Sequence, residues 1–259
     1  MLHRIMLLVA SLLLPAAALA QPGYYQFPDL YEHTIVFAAE GDLWLVTDAG
    51  GLARRITTHP GSEYFPRFSP DGKWIAFTGE YDGNRDVYVI PSEGGEPRRL
   101  TWHPASDEVI DFTPDGKKVI FRSRSGNNST SGLESHLFAV PVDGGEAEEL
   151  PLGWAGRVAI DARSGMWAVN RGQVEFRTWK RYRGGTAPTI WVGDPAKADF
   201  HQIGKVPGAA SFPMWSGGRI YFLSDQGGVG NLWSMRPDGA DARRETTLKD
   251  WDVRWPSVG

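Results

Sequence analysis

Ser69-Pro70-Asp71-Gly72-Lys73 and Thr113-Pro114-Asp115-Gly116-Lys117 write the same turn twice. Each is followed by an apolar, β-rich run, Trp74-Ile75-Ala76-Phe77 in one copy and Val119-Ile120-Phe121 in the other. Asp-Gly supplies the positive φ that a tight hairpin requires, so each copy reads as strand, hairpin, strand. Further out, Gly50-Gly51, Gly94-Gly95 and Gly144-Gly145 punctuate the chain at a matching interval. Each interval holds about four short alternating runs, which is the arithmetic of a β-propeller blade.

The runs assign blade one to 25–27, 33–38, 42–46 and 53–57, and blade two to 64–68, 74–78, 86–90 and 98–102. Blade three takes 109–112, 118–123, 136–140 and 146–150. Blade four degenerates: 157–160 and 166–170 keep the first two runs, an insertion from Arg171 to Ala187 follows, and 189–192 resumes the pattern. Blade five returns at 212–215, 219–224, 231–235 and 243–246. Asp252-Val253-Arg254-Trp255-Pro256 opens a sixth, with Trp255-Pro256 matching Phe212-Pro213. The expectation is an all-β propeller of four-stranded blades, six-bladed when complete, its sixth blade truncated. A ring left open has unsatisfied sheet edges. Residues 21–259 therefore read as the N-terminal part of a longer protein, or else as a subunit whose ring is completed between chains.

Residues 1–20 stand apart from the fold. His3 and Arg4 precede an apolar stretch, and Ala18-Leu19-Ala20 is a small-x-small cleavage site. That is the pattern of a secretory signal peptide, which places the mature chain across the inner membrane, in the periplasm, with no membrane attachment after cleavage. The chain has no cysteine, which excludes disulfides, thiolate catalysis, cysteine zinc ligands and a lipoprotein anchor. The formal net charge is −4, the wrong sign for a nucleic-acid partner.

One stretch carries a specific resemblance. Trp179-Lys180-Arg181-Tyr182-Arg183-Gly184-Gly185-Thr186-Ala187-Pro188-Thr189-Ile190-Trp191 resembles the N-terminal propeller of tricorn-type serine peptidases and their secreted bacterial relatives. Phe65-Pro66-Arg67-Phe68-Ser69-Pro70-Asp71-Gly72, Glu40-Gly41-Asp42-Leu43-Trp44 and Arg254-Trp255-Pro256 support it. The resemblance covers essentially all of 21–259. It implies a six-bladed first propeller, then a second propeller, a PDZ-like module and a catalytic domain holding the serine, histidine and acid. It also implies that this region filters or channels peptides, and that the full-length protein is a candidate homo-oligomer. No catalytic residue can be carried onto this chain. The Pro-Asp-Gly repeats are shared more widely, so a stand-alone TolB-like binding propeller and the cap of a prolyl-oligopeptidase-like hydrolase remain alternatives.

The residues themselves agree that chemistry lies elsewhere. There is no G-x-S-x-G; Ser216 with Gly218 comes nearest, but Met214 stands where the first glycine belongs. His33, His59, His103, His136 and His201 are scattered, and no H-E-x-x-H occurs. Asp82-Gly83-Asn84-Arg85-Asp86 starts like a calcium loop but lacks the later glycine and glutamate, so it reads as a hairpin loop. Asn127 and Asn128 head sequons in a polar loop. No cofactor is expected. The insertion is the candidate site, where Arg171, Arg177, Lys180, Arg181 and Arg183 interleave with Phe176, Trp179 and Tyr182. Lys180, Arg181, Arg183, Trp179 and Tyr182 could grip a peptide carboxylate and stack on its side chains. Alternatively, the cations pair with neighbouring acids and pack blade four on blade five.

Overall fold

The computed structural model describes residues 23–125, 134–172, 180–204 and 208–258. The leader at 1–20, the sequons at Asn127 and Asn128, and Phe176, Arg177 and Trp179 of the insertion lie outside the described residues. What is described is five four-stranded antiparallel sheets, each an up-and-down meander in sequence order. Blade one is β1 (Gln26–Tyr31), β2 (Thr34–Ala39), β3 (Asp42–Thr47) and β4 (Arg54–Arg55). Blade two is β5 (Glu63–Phe68), β6 (Trp74–Glu80), β7 (Arg85–Pro91) and β8 (Arg98–Arg99). Blade three is β9 (Asp107–Phe112), β10 (Lys118–Ser123), β11 (His136–Pro141) and β12 (Glu148–Glu149). Blade four is β13 (Arg157–Ile160), β14 (Trp167–Arg171), β15 (Thr189–Asp194) and β16 (Asp199–Gln202). Blade five is β17 (Ala210–Ser216), β18 (Arg219–Ser224), β19 (Asn231–Met235) and β20 (Arg243–Arg244).

The repeats place the blades correctly, and Gly72 and Gly116 both sit at φ 69° in their hairpins. The outer strands are shorter than the sequence runs. Thr57, Thr101 and Thr246 explain why: their hydroxyls accept from the backbone N–H groups of Leu43, Val87 and Leu232 at 2.8, 3.0 and 2.9 Å. A side-chain oxygen takes the place of the next ladder carbonyl, and pairing ends there. The polar strand β16 carries no apolar run in the sequence, because its residues show no buried face.

The core is divided into slabs, one between each pair of neighbouring blades. Val36 and Ala38 of blade one pack with Ile75 and Phe77 of blade two. Val87 and Val89 pack with Val119 and Phe121 of blade three. Ile110 and Ile120 meet Val158 and Val169 of blade four, and Ile190 and Val192 meet Ile220 and Phe222 of blade five. A middle strand thus faces apolar neighbours on both sides, which is why its sequence is a continuous hydrophobic run.

The inner strands carry a feature that the runs did not reveal. In β1, β5, β9 and β17 the register against the next strand slips at the same place. Phe27, Phe65 and Phe212 occupy three of these bulges with φ of 52°, 53° and 58°, each followed by proline. Proline has no N–H to offer the ladder, so a bulge is where an inner strand tolerates it. Trp255-Pro256 repeats the geometry, with Trp255 at φ 45°, although no strand is formed in 252–258 among the described residues.

Candidate functional site

The inner strands run side by side around the axis, and just beyond their bulges they place four charged side chains together. Asp29, Arg67, Asp111 and Arg157, from blades one to four, line a cavity of about 410 Å³ on the side of the first hairpin of each blade. Glu32 of the first hairpin, Met214 and Trp215 of blade five, and Pro256 and Ser257 also line it. Two of the charges, Asp29 and Arg67, also join blades by hydrogen bonds. The Phe68 N–H donates to Asp29 Oδ2 at 2.8 Å. Arg67 donates from Nε to the Ile110 carbonyl at 3.2 Å and from Nη1 to its neighbour Pro66 at 2.8 Å. Asp29 and Arg67 approach to 4.0 Å, and Asp111 accepts from the Phe112 N–H at 2.8 Å.

Burial governs the electrostatics of this quartet. It raises the Asp29 carboxyl to about 6 against the pull of Arg67, and it raises Asp111 as well. Arg157 is lowered to about 9, first by burial and then by the like charge of Arg67. Its guanidinium stacks over the Phe212 ring at 4.3 Å. Beside the cavity the bulge aromatics form an arc, with Phe27 4.3 Å from Phe65 and 4.5 Å from Trp255 between ring centroids. Trp255 in turn packs on the cluster holding Phe212.

The blade-four insertion is elsewhere. It joins β14 to β15, so it lies at the opposite end of the strands from the cavity. Its described cations have protein partners: Lys180 Nζ meets Asp252 Oδ1 at 2.6 Å, and Arg183 Nη1 meets Asp225 Oδ1 at 3.2 Å. The Arg181 N–H donates to Asp225 Oδ2 at 2.6 Å, and its guanidinium reaches the Gly228 carbonyl at 3.4 Å. Thr186 donates to the Tyr182 hydroxyl at 3.3 Å. Asp225 is fully buried and also accepts from the Ala209 N–H at 3.0 Å. The insertion is therefore stitched to blade five and to the 252–258 segment, with Lys180 and Arg183 left half exposed.

The remaining sequence candidates dissolve into ordinary contacts. Both acids of the 82–86 loop face Arg99, Asp82 at 3.2 Å and Asp86 at 2.7 Å. His33 pairs with Asp48 and His136 with Glu149, on different blades. Among the described residues no group of three or more His, Asp or Glu is placed to hold a metal.

Residues 22–259 match the tricorn protease N-terminal β-propeller domain. The chain belongs to this family. It is 38% identical over 236 residues to tricorn protease homolog 1 of Streptomyces coelicolor, covering 91% of this chain and 22% of that protein. It is 30% identical over 239 residues to the tricorn protease homolog of Saccharolobus solfataricus, again covering 22% of the relative. The chain thus spans about a fifth of the length of these two relatives. The crystal structure of the tricorn protease superposes with a TM-score of 0.81 at 30% identity, over 91% of this chain and 24% of that one. TolB from Acinetobacter baumannii, with a TM-score of 0.71 at 20% identity over 91% of this chain and 57% of that one, shares the fold.

The axial quartet was missed in the sequence, although a signal was present. Phe27-Pro28-Asp29 and Phe65-Pro66-Arg67 put a charge at one repeat position of a strand that is otherwise buried. Isolated charges at Asp111 and Arg157 look like surface residues until the ring brings them together.

Proposed function

We propose that this propeller is the non-catalytic N-terminal region of a longer tricorn-type serine peptidase, and that its axial cavity receives peptide on the way to or from a catalytic domain. The observation that carries the reading is the cavity of about 410 Å³ whose mixed apolar and polar wall gathers the charged quartet, in a chain that matches the tricorn propeller over 22–259. A buried quartet of mixed sign is costly as packing alone, and it suits recognition of a zwitterionic chain.

Two further parts belong to the proposal. Residues 252–258 are the inner edge of a sixth blade, supported by Trp255-Pro256 repeating the bulge of Phe27-Pro28, Phe65-Pro66 and Phe212-Pro213. Residues 1–20 direct export to the periplasm and are removed, so the mature protein would start at Gln21 when its N-terminus is sequenced. In the longer protein, Ser257→Trp would narrow the cavity. Turnover of long peptides should fall while that of short ones is retained. Equal effects on both, or no effect, would contradict the reading.

A further inference from the structure

Arg157 is 6% exposed, and its Nε has no hydrogen-bond partner among the described residues. The other three charges of the quartet are engaged: Asp29 with Phe68, Arg67 with Ile110 and Pro66, Asp111 with Phe112. Arg157 makes none of these bonds; it stacks on the face of Phe212 and is otherwise offset only by the charges of Asp111 and Asp29, without a hydrogen bond to either. Stacking satisfies the π face of a guanidinium but leaves its in-plane N–H donors pointing past the ring. The indole Nε1 of Trp215, on the next blade, is likewise buried without a partner, and Trp215 lines the same cavity. Unpaired buried donors carry the full desolvation penalty of their groups, and a buried cation carries more.

A group in the cavity that answered both donors would be an acceptor with more than one oxygen and a negative charge. A carboxylate fits, because its two oxygens can take an Arg N–H and a second donor side by side. Arg67 lies close enough to push Arg157 down electrostatically, so a carboxylate arriving between the two arginines relieves a like-charge repulsion as well. Asp29 and Asp111 face the same space. Each offsets part of the Arg157 charge but is hydrogen-bonded to a backbone donor of its own, so the N–H donors of Arg157 stay unmet.

We propose that Arg157 and Trp215 form a carboxylate-binding subsite in the axial cavity, which holds an acidic group of a peptide, either its C-terminus or an Asp or Glu side chain. The proposal rests on the peptide-receiving role proposed above and specifies which peptide group is read. The basic insertion of blade four takes no part in it, since that segment lies at the other end of the strands.

The test is a calorimetric titration of the full chain with three probes: N-acetyl-trialanine with a free carboxylate, the same peptide as its C-terminal amide, and N-acetyl-Glu-Ala-Ala-amide. The free acid should bind at least about tenfold more tightly than its amide, the value of one charge-assisted contact. Tight binding of the glutamyl amide as well assigns the site to carboxylates in general, and binding of the free acid alone assigns it to the C-terminus. Arg157→Gln should remove the preference. Trp215→Phe keeps the ring and deletes one donor, so it should weaken the free acid severalfold with the amide unchanged. That variant decides the matter if Arg157→Gln does not fold. Tight binding of the glutamyl amide alone assigns the site to acidic side chains, whereas equal binding of all three probes, or a preference that survives in the folded variants, overturns the subsite while leaving peptide binding standing. Binding of none of the three overturns both.

Discussion

The ring of Phe27, in the first inner strand, lies edge-on against the indole of Trp255 near the other end of the chain, 4.5 Å between centroids at 63°. Both residues hold positive φ before a proline. A non-glycine residue in that region is strained by about 1–2 kcal/mol. The strain persists because the left-handed turn brings the rings of neighbouring inner strands together around the axis. Phe27→Ala should therefore cost about 3–5 kcal/mol, as for a buried aromatic. A double-mutant cycle with Trp255→Ala should give a coupling of about 0.5–1.5 kcal/mol. Additive effects in chemical denaturation would show that the two rings touch without supporting each other.

Gly72 tests the hairpin on which the repeat depends. It sits at φ 69°, and a Cβ built there would lie 2.2 Å from Cε1 of Tyr31 on blade one. Gly116 has the same φ, but its Cβ would meet only Pro70 at 3.5 Å. Gly116→Ala should cost about 1 kcal/mol for the backbone alone, and Gly72→Ala should cost more because Tyr31 must also move. Equal losses of melting temperature would mean that Tyr31 gives way freely.

Glu63 provides a pH signature. It is 1% exposed, and its carboxylate accepts from Thr57 and Tyr81, each at 2.8 Å. Burial outweighs both bonds and raises it to about 7 from 4.5. The folded state thus holds a proton that the unfolded chain has released between these values, so stability is lost as pH rises from about 4.5 through 7. Asp29, raised to about 6, adds to the loss at the lower part of the window. Glu63→Gln cannot ionise, so its melting temperature relative to wild type should climb between pH 5 and 7.5. A constant difference would place the titration elsewhere.

The blade-four insertion separates packing from contact with a partner. Asp225 is fully buried and gathers Arg181, Arg183 and Ala209. Removing it strands three donors and should cost about 2–4 kcal/mol. Replacing Lys180, Arg181 and Arg183 together by Ala should lower melting temperature by leaving Asp225 and Asp252 under-compensated. If the half-exposed cations also guide acidic peptides, turnover per folded molecule of the longer protein falls too. Measuring both on one preparation distinguishes the two roles.

The five blades were legible because turn chemistry and apolar runs are local signals: Asp71-Gly72 and Ile75–Phe77 report on their own hairpin whatever surrounds them. The bulges were not legible. Phe27, Phe65 and Phe212 at positive φ break a residue-level preference, and the neighbouring rings that compensate come from other blades. The cavity escaped for the same reason, since Arg157 becomes a buried cation with an unmet Nε donor only once the neighbouring blades close around it. The insertion drew notice by composition, and its ion pairs with Asp225 and Asp252 depend on residues far along the chain.

The central claim, that peptide enters the axial cavity, is tested most directly by photo-cross-linking. A peptide carrying benzoylphenylalanine next to a free C-terminus would be irradiated with the full chain and the adducts mapped by mass spectrometry. The account predicts adducts on Met214, Trp215 and the 157–160 strand, lost on addition of excess unlabelled peptide. Adducts confined to the outer strands at Arg54, Arg98 or Arg243, or insensitive to competitor, would contradict it.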